Sequence, residues 1–239
     1  MIEITHLNYR YKEQLIFSNL KITLKKGELV TLLAPSGTGK STLLDILTGK
    51  LKITDSLGKI SFDGVKTSFK DWHKKQNVFS LAPQTPLLLP WKSVEENLMF
   101  CALSYYEKKE AQKQVMAYLD IIHLKKDANK RPNELSLGMK QRVSFAMACL
   151  INRPCLLLDE PFSALDYYTR QALTKYLKDF ISKKKKYSLL VTHDIQEAVL
   201  FSNKIYLINP NKRNDVQIFI TKNKGQKELI LEVIEALKT

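Results

Sequence analysis

The sequence predicts an α/β protein in which a parallel sheet is interrupted by a block of helices, and three observations carry that expectation. Apolar runs at Glu28 to Leu33, Cys155 to Leu158, Ser188 to Thr192 and Lys204 to Ile208 have the length and continuity of strands buried on both faces. Helical patterns at Tyr167 to Lys183 and Ile195 to Leu200 alternate with the later strands, as β-α-β crossovers do. From Ser93 to Leu150 the chain turns helical, with Glu95 to Ser104, Glu107 to Ile122 and Leu137 to Leu150 placing apolar residues three and four apart.

Taken in order, the first third reads as strands at Ile2 to Leu7, Ile16 to Leu24, Glu28 to Leu33 and Gly58 to Phe62, with polar turns at Lys25-Lys26-Gly27 and Asp63-Gly64. A strand at Asn77 to Leu81 leads into the helical block. After the alternating segment, a strand at Val216 to Thr221 and a helix from Gln226 to Leu237 are too short for another domain. The 239 residues suit one domain with an inserted subdomain.

Ala34-Pro35-Ser36-Gly37-Thr38-Gly39-Lys40-Ser41-Thr42 follows an apolar strand and opens a helix that buries Leu43, Leu44, Ile46 and Leu47. That context is what a phosphate-binding loop requires. Small residues let consecutive backbone N–H groups turn toward a phosphate, and the helix N-terminus adds its dipole. Lys40 supplies a point charge and the Ser41 hydroxyl can ligate Mg²⁺, so the chain is expected to bind a nucleoside triphosphate with magnesium. The loop pattern begins with glycine, whereas Ala34 stands here; its methyl is tolerable where φ stays negative and costly where it does not.

Composition bounds the setting. No apolar run approaches a bilayer span, and the N-terminus lacks the basic-then-apolar pattern of a signal peptide, so a soluble cytoplasmic protein is expected. Cys101, Cys149 and Cys155 sit among apolar neighbours without metal-ligand spacing and read as reduced core thiols. His6, His73 and His123 show no partner pattern. The net charge of +14 comes from 38 basic and 24 acidic residues, with Lys pairs at 25/26, 74/75, 108/109 and 125/126 and a run from Lys183 to Lys186. Dispersed lysines without interleaved aromatics favour a solvated face near a membrane over a nucleic-acid groove.

Cys155-Leu-Leu-Leu-Asp159-Glu160-Pro161 is an apolar strand ending in two carboxylates. Adjacent strand residues face opposite ways, so Asp159 is expected to reach the magnesium shell while Glu160 points into the site to polarise a water. Leu135-Ser136-Leu137-Gly138-Met139-Lys140-Gln141-Arg142 opens a helix with Ser136 as its N-cap.

With these motifs in order, the chain resembles the nucleotide-binding ATPase subunit of an ABC transporter, from about Tyr9 to Pro210. The resemblance implies a P-loop NTPase (RecA-like) core with an antiparallel β subdomain over 1–84 and 152–239, and a helical signature subdomain over 85–151. It implies ATP and Mg²⁺ as ligands and a second ATPase subunit, another copy in a homodimer or a close relative, whose signature, Ser136 and Gly138 in this chain, closes over ATP held by the phosphate loop of the first. Glu160 is then the base, Gln84 contacts magnesium and the attacking water, and Asp159 and Ser41 complete the metal's protein ligands. Val191-Thr192-His193-Asp194 places His193 as the γ-phosphate sensor, and Ser163-Ala164-Leu165-Asp166 matches the loop that couples the two sites. Tyr11 lies where the family stacks an aromatic on adenine, with Tyr9 as the alternative. The signature departs from Leu-Ser-Gly-Gly-Gln at Leu137, which replaces the first glycine.

Gln84-Thr-Pro-Leu-Leu-Leu-Pro90-Trp91-Lys-Ser-Val-Glu-Glu-Asn97 is similar to the stretch after the glutamine in ATPases of nitrate, sulfonate and taurine importers, a group that includes transporters of thiamine precursors. Leu88, Leu89, Pro90 and Trp91 would then receive a helix of a membrane permease, or pack the subdomain. The implied protein is an ATP-hydrolysing importer subunit, peripheral on the cytoplasmic side of the inner membrane, meeting a solute-binding protein only indirectly. Two alternatives stand beside it. One is a soluble ATPase of this fold acting on DNA or the ribosome, which would need a long coiled coil or two cassettes that the sequence does not show. The other is a weakly active or regulatory subunit, motivated by Ala34 and Leu137.

Overall fold

The computed structural model describes residues 1–51, 58–68, 71, 78–209, 216–221 and 225–238. His73, the Lys74/Lys75 pair, Asn77 and Pro210 lie outside them. Ten strands are described: β1 (Ile2–Tyr11), β2 (Gln14–Leu24), β3 (Leu29–Leu33), β4 (Lys59–Phe62), β5 (Val65–Ser68), β6 (Phe79–Ala82), β7 (Cys155–Asp159), β8 (Tyr187–Thr192), β9 (Lys204–Ile208) and β10 (Val216–Ile220). Seven helices accompany them: α1 (Lys40–Thr48), α2 (Val94–Ala102), α3 (Lys108–Ile121), α4 (Leu137–Leu150), α5 (Tyr167–Lys183), α6 (Ile195–Phe201) and α7 (Gln226–Lys238).

The strands form an antiparallel sheet, β2-β1-β4-β5, and a second sheet ordered β10-β9-β3-β8-β7-β6. In the second, β9, β3, β8, β7 and β6 run parallel and β10 pairs antiparallel at the edge. Strands β3, β7 and β8 are buried at every position, which explains their continuous apolar text: each face of the sheet is covered. One core cluster fills the space between the two sheets and α1. Another joins the parallel sheet to the helices between β6 and β7, and a third seats α6 and α7 against β3 and β9. The three thiols are buried; burial raises that of Cys101 to about 11 and pushes the other two higher, so they behave as apolar core groups.

Register sets up the rest of the molecule. Leu33 lies opposite Thr192, Asp159 opposite Val191, and Ala82 opposite Leu158. The carboxyl ends of β3, β8, β7 and β6 are therefore staggered by no more than two residues, so the segments that begin at Ala34, His193, Glu160 and Pro83 leave from one edge of the sheet.

Two strand assignments go beyond the sequence reading. β1 runs on past Leu7 to Tyr11 because β2 turns back on it, with Tyr9 opposite Phe17 and Tyr11 opposite Gln14, across register shifts that break the alternation. β5 pairs with β4 through Asp63 and Gly64, both at positive φ, a two-residue turn that suits the twist of a hairpin.

Four of the helices start where side chains satisfy their first N–H groups. Ser93 and Glu96 form a reciprocal box at α2, Ser136 Oγ accepts from Met139 N–H at 3.2 Å, Asp166 Oδ1 from Thr169 N–H at 3.0 Å, and Asp194 Oδ1 from Glu197 N–H at 3.1 Å. Asn97, fully buried on α2, holds the preceding loop: Oδ1 accepts from Leu89 N–H at 2.7 Å, and Nδ2 donates toward the carbonyls of Leu89, Lys92 and Ser93 at 2.8 to 3.2 Å. At the β8–α6 junction Glu197 is buried and hydrogen-bonded to the Thr192 hydroxyl. Burial pushes its carboxyl up to about 7, against the lowering effect of that hydrogen bond.

Asn97→Ala leaves the Leu89 amide without its partner and takes one hydrogen bond from each carbonyl, although those of Leu89 and Ser93 still accept from the Lys92 and residue-97 backbone N–H groups. It should lower unfolding free energy by about 1–3 kcal/mol in urea titration and shift the fluorescence of Trp91. For Glu197 the sign is opposite to that of an ion-paired acid. The unfolded chain releases this proton near 4.5 and the folded chain near 7, so stability is lost as pH rises between those values and is level above them. Melting curves at pH 5 and 7.5 should differ less in Glu197→Gln than in the parent.

Candidate nucleotide site

The phosphate loop leaves β3 at Ala34, whose N–H donates to the Thr192 carbonyl at 3.3 Å and whose methyl packs in the intersheet core. Ala34 is not among the positive-φ residues, so the missing first glycine imposes no left-handed strain. Gly37 and Gly39 have φ of 78° and 94°. A Cβ on Gly39 would lie 2.2 Å from Ile16 Cγ2, so glycine is needed there both for backbone conformation and for the close seat of β2. Thr38 Oγ1 donates to the Pro35 carbonyl at 2.8 Å and braces the turn from within.

Lys40 is buried, and its Nζ donates to the carbonyls of Ala34 and Pro35, both at 2.9 Å. It stands 3.9 Å from Glu160 Oε1. Burial lowers its pKa, opposed by the nearby charges of Glu160 and Asp159. A cation enclosed this way gains from an incoming anion. Ser41 Oγ donates to Asp159 Oδ2 at 2.9 Å; burial raises the Asp159 carboxyl, and this hydrogen bond works against the rise.

Glu160 corrects one expectation. The strand stops at Asp159, and Glu160 sits beyond it with φ of 45°, its N–H bonded to the Val191 carbonyl at 2.9 Å. A left-handed residue, rather than strand alternation, turns its side chain into the site. There Oε1 is 2.7 Å from His193 Nδ1 and Oε2 accepts from Gln84 Nε2 at 3.3 Å. A carboxylate can only accept, so the Nδ1 side of the imidazole donates in this contact. His193 is 52% exposed in its side chain and Glu160 only 9%, so the histidine stands at the rim over a buried acid.

Tyr11, Ile16, Ser36, Gly37, Gly39, Lys40, Ser41, Thr42, Gln84 and Glu160 line one cavity of about 400 Å³. Of the two tyrosines, Tyr11 is 59% exposed and lines this cavity, whereas Tyr9 packs against the intersheet core. Ala34, Pro35 and Thr38 shape the loop without lining the cavity. Ile16 was not foreseen; the signal for it was an apolar residue two strands upstream of a glycine that needs room. A Mg²⁺ ion fits the donors. The Ser41 hydroxyl, the Asp159 carboxylate and the Gln84 amide carbonyl offer hard oxygen donors beside the loop, and among the described residues there is no group of three His, Cys, Asp or Glu that could hold a metal ion. Such a sparse protein set suits an ion that completes its shell with phosphate oxygens and water.

Ser136 and Gly138 lie apart from this cavity. Ser136 and Leu137 are exposed at the start of α4, the latter by 57%. Gly138 meets its own chain: a Cβ there would come within 2.8 Å of the Ala164 carbonyl. Gln141 completes the junction, donating to Ser163 Oγ and accepting from Ala164 N–H, each at 2.9 Å. Gly138 therefore also packs closely against the 163–166 loop, a contact that motif spacing did not announce. In the loop after Gln84, Leu88 faces the core, while Leu87 (74%) and Trp91 (67%) are exposed.

Comparison with known proteins agrees with this geometry. A family model described as ABC transporter matches residues 17–163. The aliphatic sulfonates import ATP-binding protein SsuB of Bacillus cereus (strain ZK / E33L) is 39% identical over 81% of this chain and 74% of its own length. The nitrate import ATP-binding protein NrtC of Synechocystis sp. (strain ATCC 27184 / PCC 6803 / Kazusa) is 34% identical over 87% of this chain but only 31% of that longer protein. A dimeric ATP-binding cassette solved in a post-hydrolysis state with ADP and Pi superimposes with a TM-score of 0.79, at 28% identity, over 94% of this chain and all of that one. The closely staggered strand ends, the glycine-bearing loop and the paired carboxylates belong together for a reason that these likenesses make plain: the chain is a member of the ABC transporter family, within its ATP-binding cassettes.

Proposed function

We propose that this protein is the ATP-hydrolysing subunit that energises an ABC importer of a small solute, of the sulfonate, nitrate, taurine or thiamine-precursor type. The observation that carries the reading is the grouping of Glu160 with His193 at 2.7 Å, Gln84 at 3.3 Å and Lys40 at 3.9 Å beside the phosphate loop. Tyr11 and Ile16 offer the adenine a platform, and Gly37 to Thr42 offer the triphosphate backbone N–H groups and Lys40. Mg²⁺, held by Ser41, Asp159 and Gln84, would supply positive charge to the phosphate oxygens.

Glu160 takes a proton from the attacking water as its oxygen bonds to the γ-phosphorus and the bond to the ADP oxygen breaks. Gln84 orients that water and His193 reports on the γ-phosphate from the rim. Ser136, exposed at the start of α4, suits contact with ATP held by a second copy, so that two sites form head to tail in a homodimer. The division into a core with β subdomain (1–84 and 152–239) and a signature subdomain (85–151) gives closure its moving part. Leu87 and Trp91 offer the apolar surface through which a permease would hold the protein at the cytoplasmic face of the inner membrane. No described helix is long and apolar enough to cross a membrane. The dispersed positive charge needs no nucleic acid to explain it.

One observation favours a slow variant of this activity: Leu137 puts a side chain where a neighbouring triphosphate would approach. Phosphate release by the purified protein, alone and with its permease in lipid vesicles, tests the reading. Glu160→Gln should retain Mg-ATP binding and lose turnover by about 10²-fold or more, the scale of general-base loss, while Lys40→Met should weaken ATP binding itself. Trp91→Ser should reduce the amount of permease that copurifies in mild detergent while the protein still binds ATP.

A further inference from the structure

The 163–166 loop and the His193 segment follow different strands, and Arg170 touches both. From α5 its Nη2 donates to the Leu165 carbonyl at 3.0 Å, and its Nη1 lies 3.6 Å from Asp194 Oδ2. Nε is buried and has no hydrogen-bond partner among the described residues. Each end of this strut is itself fixed. Asp194 caps α6 and donates its N–H to Thr192 Oγ1 at 3.1 Å, and it directly follows His193. On the other side, Ala164 is held by Gln141 and pressed against Gly138 at the start of α4. A continuous path thus runs from the exposed start of α4 through Ala164, Leu165, Arg170 and Asp194 to His193 and Glu160.

We propose that Arg170 is a positioning residue that passes the placement of the α4 start to the His193–Glu160 pair, so that engagement of one cassette by another sets that pair for hydrolysis. This rests on the hydrolytic reading above. The planar fork of a guanidinium matters here because it addresses a carbonyl and a carboxylate at once, whereas a lysine ammonium reaches one of them. A purely structural ion pair, partly exposed and 3.6 Å long, would contribute little and would show itself only in melting temperature.

Steady-state Mg-ATP hydrolysis by the full chain decides the matter. Arg170→Met should lower kcat about tenfold with KM for ATP within about twofold, and Arg170→Lys should fall nearly as far despite keeping the charge. Asp194→Asn should cause a similar loss, and the double variant Arg170→Met with Asp194→Asn should be no slower than the worse single one, because both cut the same path. The proposal is overturned if Arg170→Met keeps the parent kcat, if its effect lies in KM alone, if Arg170→Lys restores the rate, or if the two losses multiply. A parent protein that releases phosphate no faster than Glu160→Gln would instead bring down the hydrolytic reading and this inference with it.

Discussion

Everything chemical in this molecule depends on the parallel pairing of β3, β8 and β7, which sets Leu33 opposite Thr192 and Asp159 opposite Val191. Three loops that are far apart in sequence then begin within hydrogen-bonding distance of one another. Ala34 N–H reaches the Thr192 carbonyl and Glu160 N–H reaches the Val191 carbonyl, so the backbone ladder continues one step past the strands and fixes where the loops depart. A slip of one residue in either pairing would turn β-strand faces over and carry Glu160 away from Lys40 and His193. The burial of all three strands on both faces is what forbids that slip.

The site that results is an arrangement of charges held ready by the protein's own groups. Lys40 rests on two carbonyls, Asp159 on the Ser41 hydroxyl, and Glu160 between the imidazole and the Gln84 amide. Each of these three charges has a partner, but each is a partner that a phosphate, a metal ion or a water can replace. Preorganisation of this kind lets the cavity remain folded without nucleotide and still favour it on arrival.

Much of this was legible in the sequence, because the relevant signals are local. Continuous apolar runs gave the parallel strands, and α4, α5 and β9 fall at Leu137–Leu150, Tyr167–Lys183 and Lys204–Ile208 as the periodicity predicts. The residues of the phosphate loop and the carboxylates at the end of β7 follow from motif spacing. What the sequence hid was tertiary. The far half of β1 and the whole of β5 are strands only because a neighbour pairs with them, and short polar text carries no mark of that. The left-handed turn at Glu160, the placement of Tyr11 at the cavity and of Tyr9 in the core, the outward face of Leu87 in place of Leu88, and the hold of Asn97 on its loop depend on contacts between distant segments. No periodicity encodes them.

The glycine at position 138 illustrates how such contacts change the meaning of a motif. Its bare α-carbon accommodates a carbonyl from the same chain, at Ala164, and a methyl would collide there whether or not nucleotide is ever bound. A descendant of this protein that had lost hydrolysis altogether would still be unable to replace it without rebuilding the adjoining loop. Retention of that glycine is thus a record of how two neighbouring segments nest, and a poor indicator of whether a cassette is an active motor.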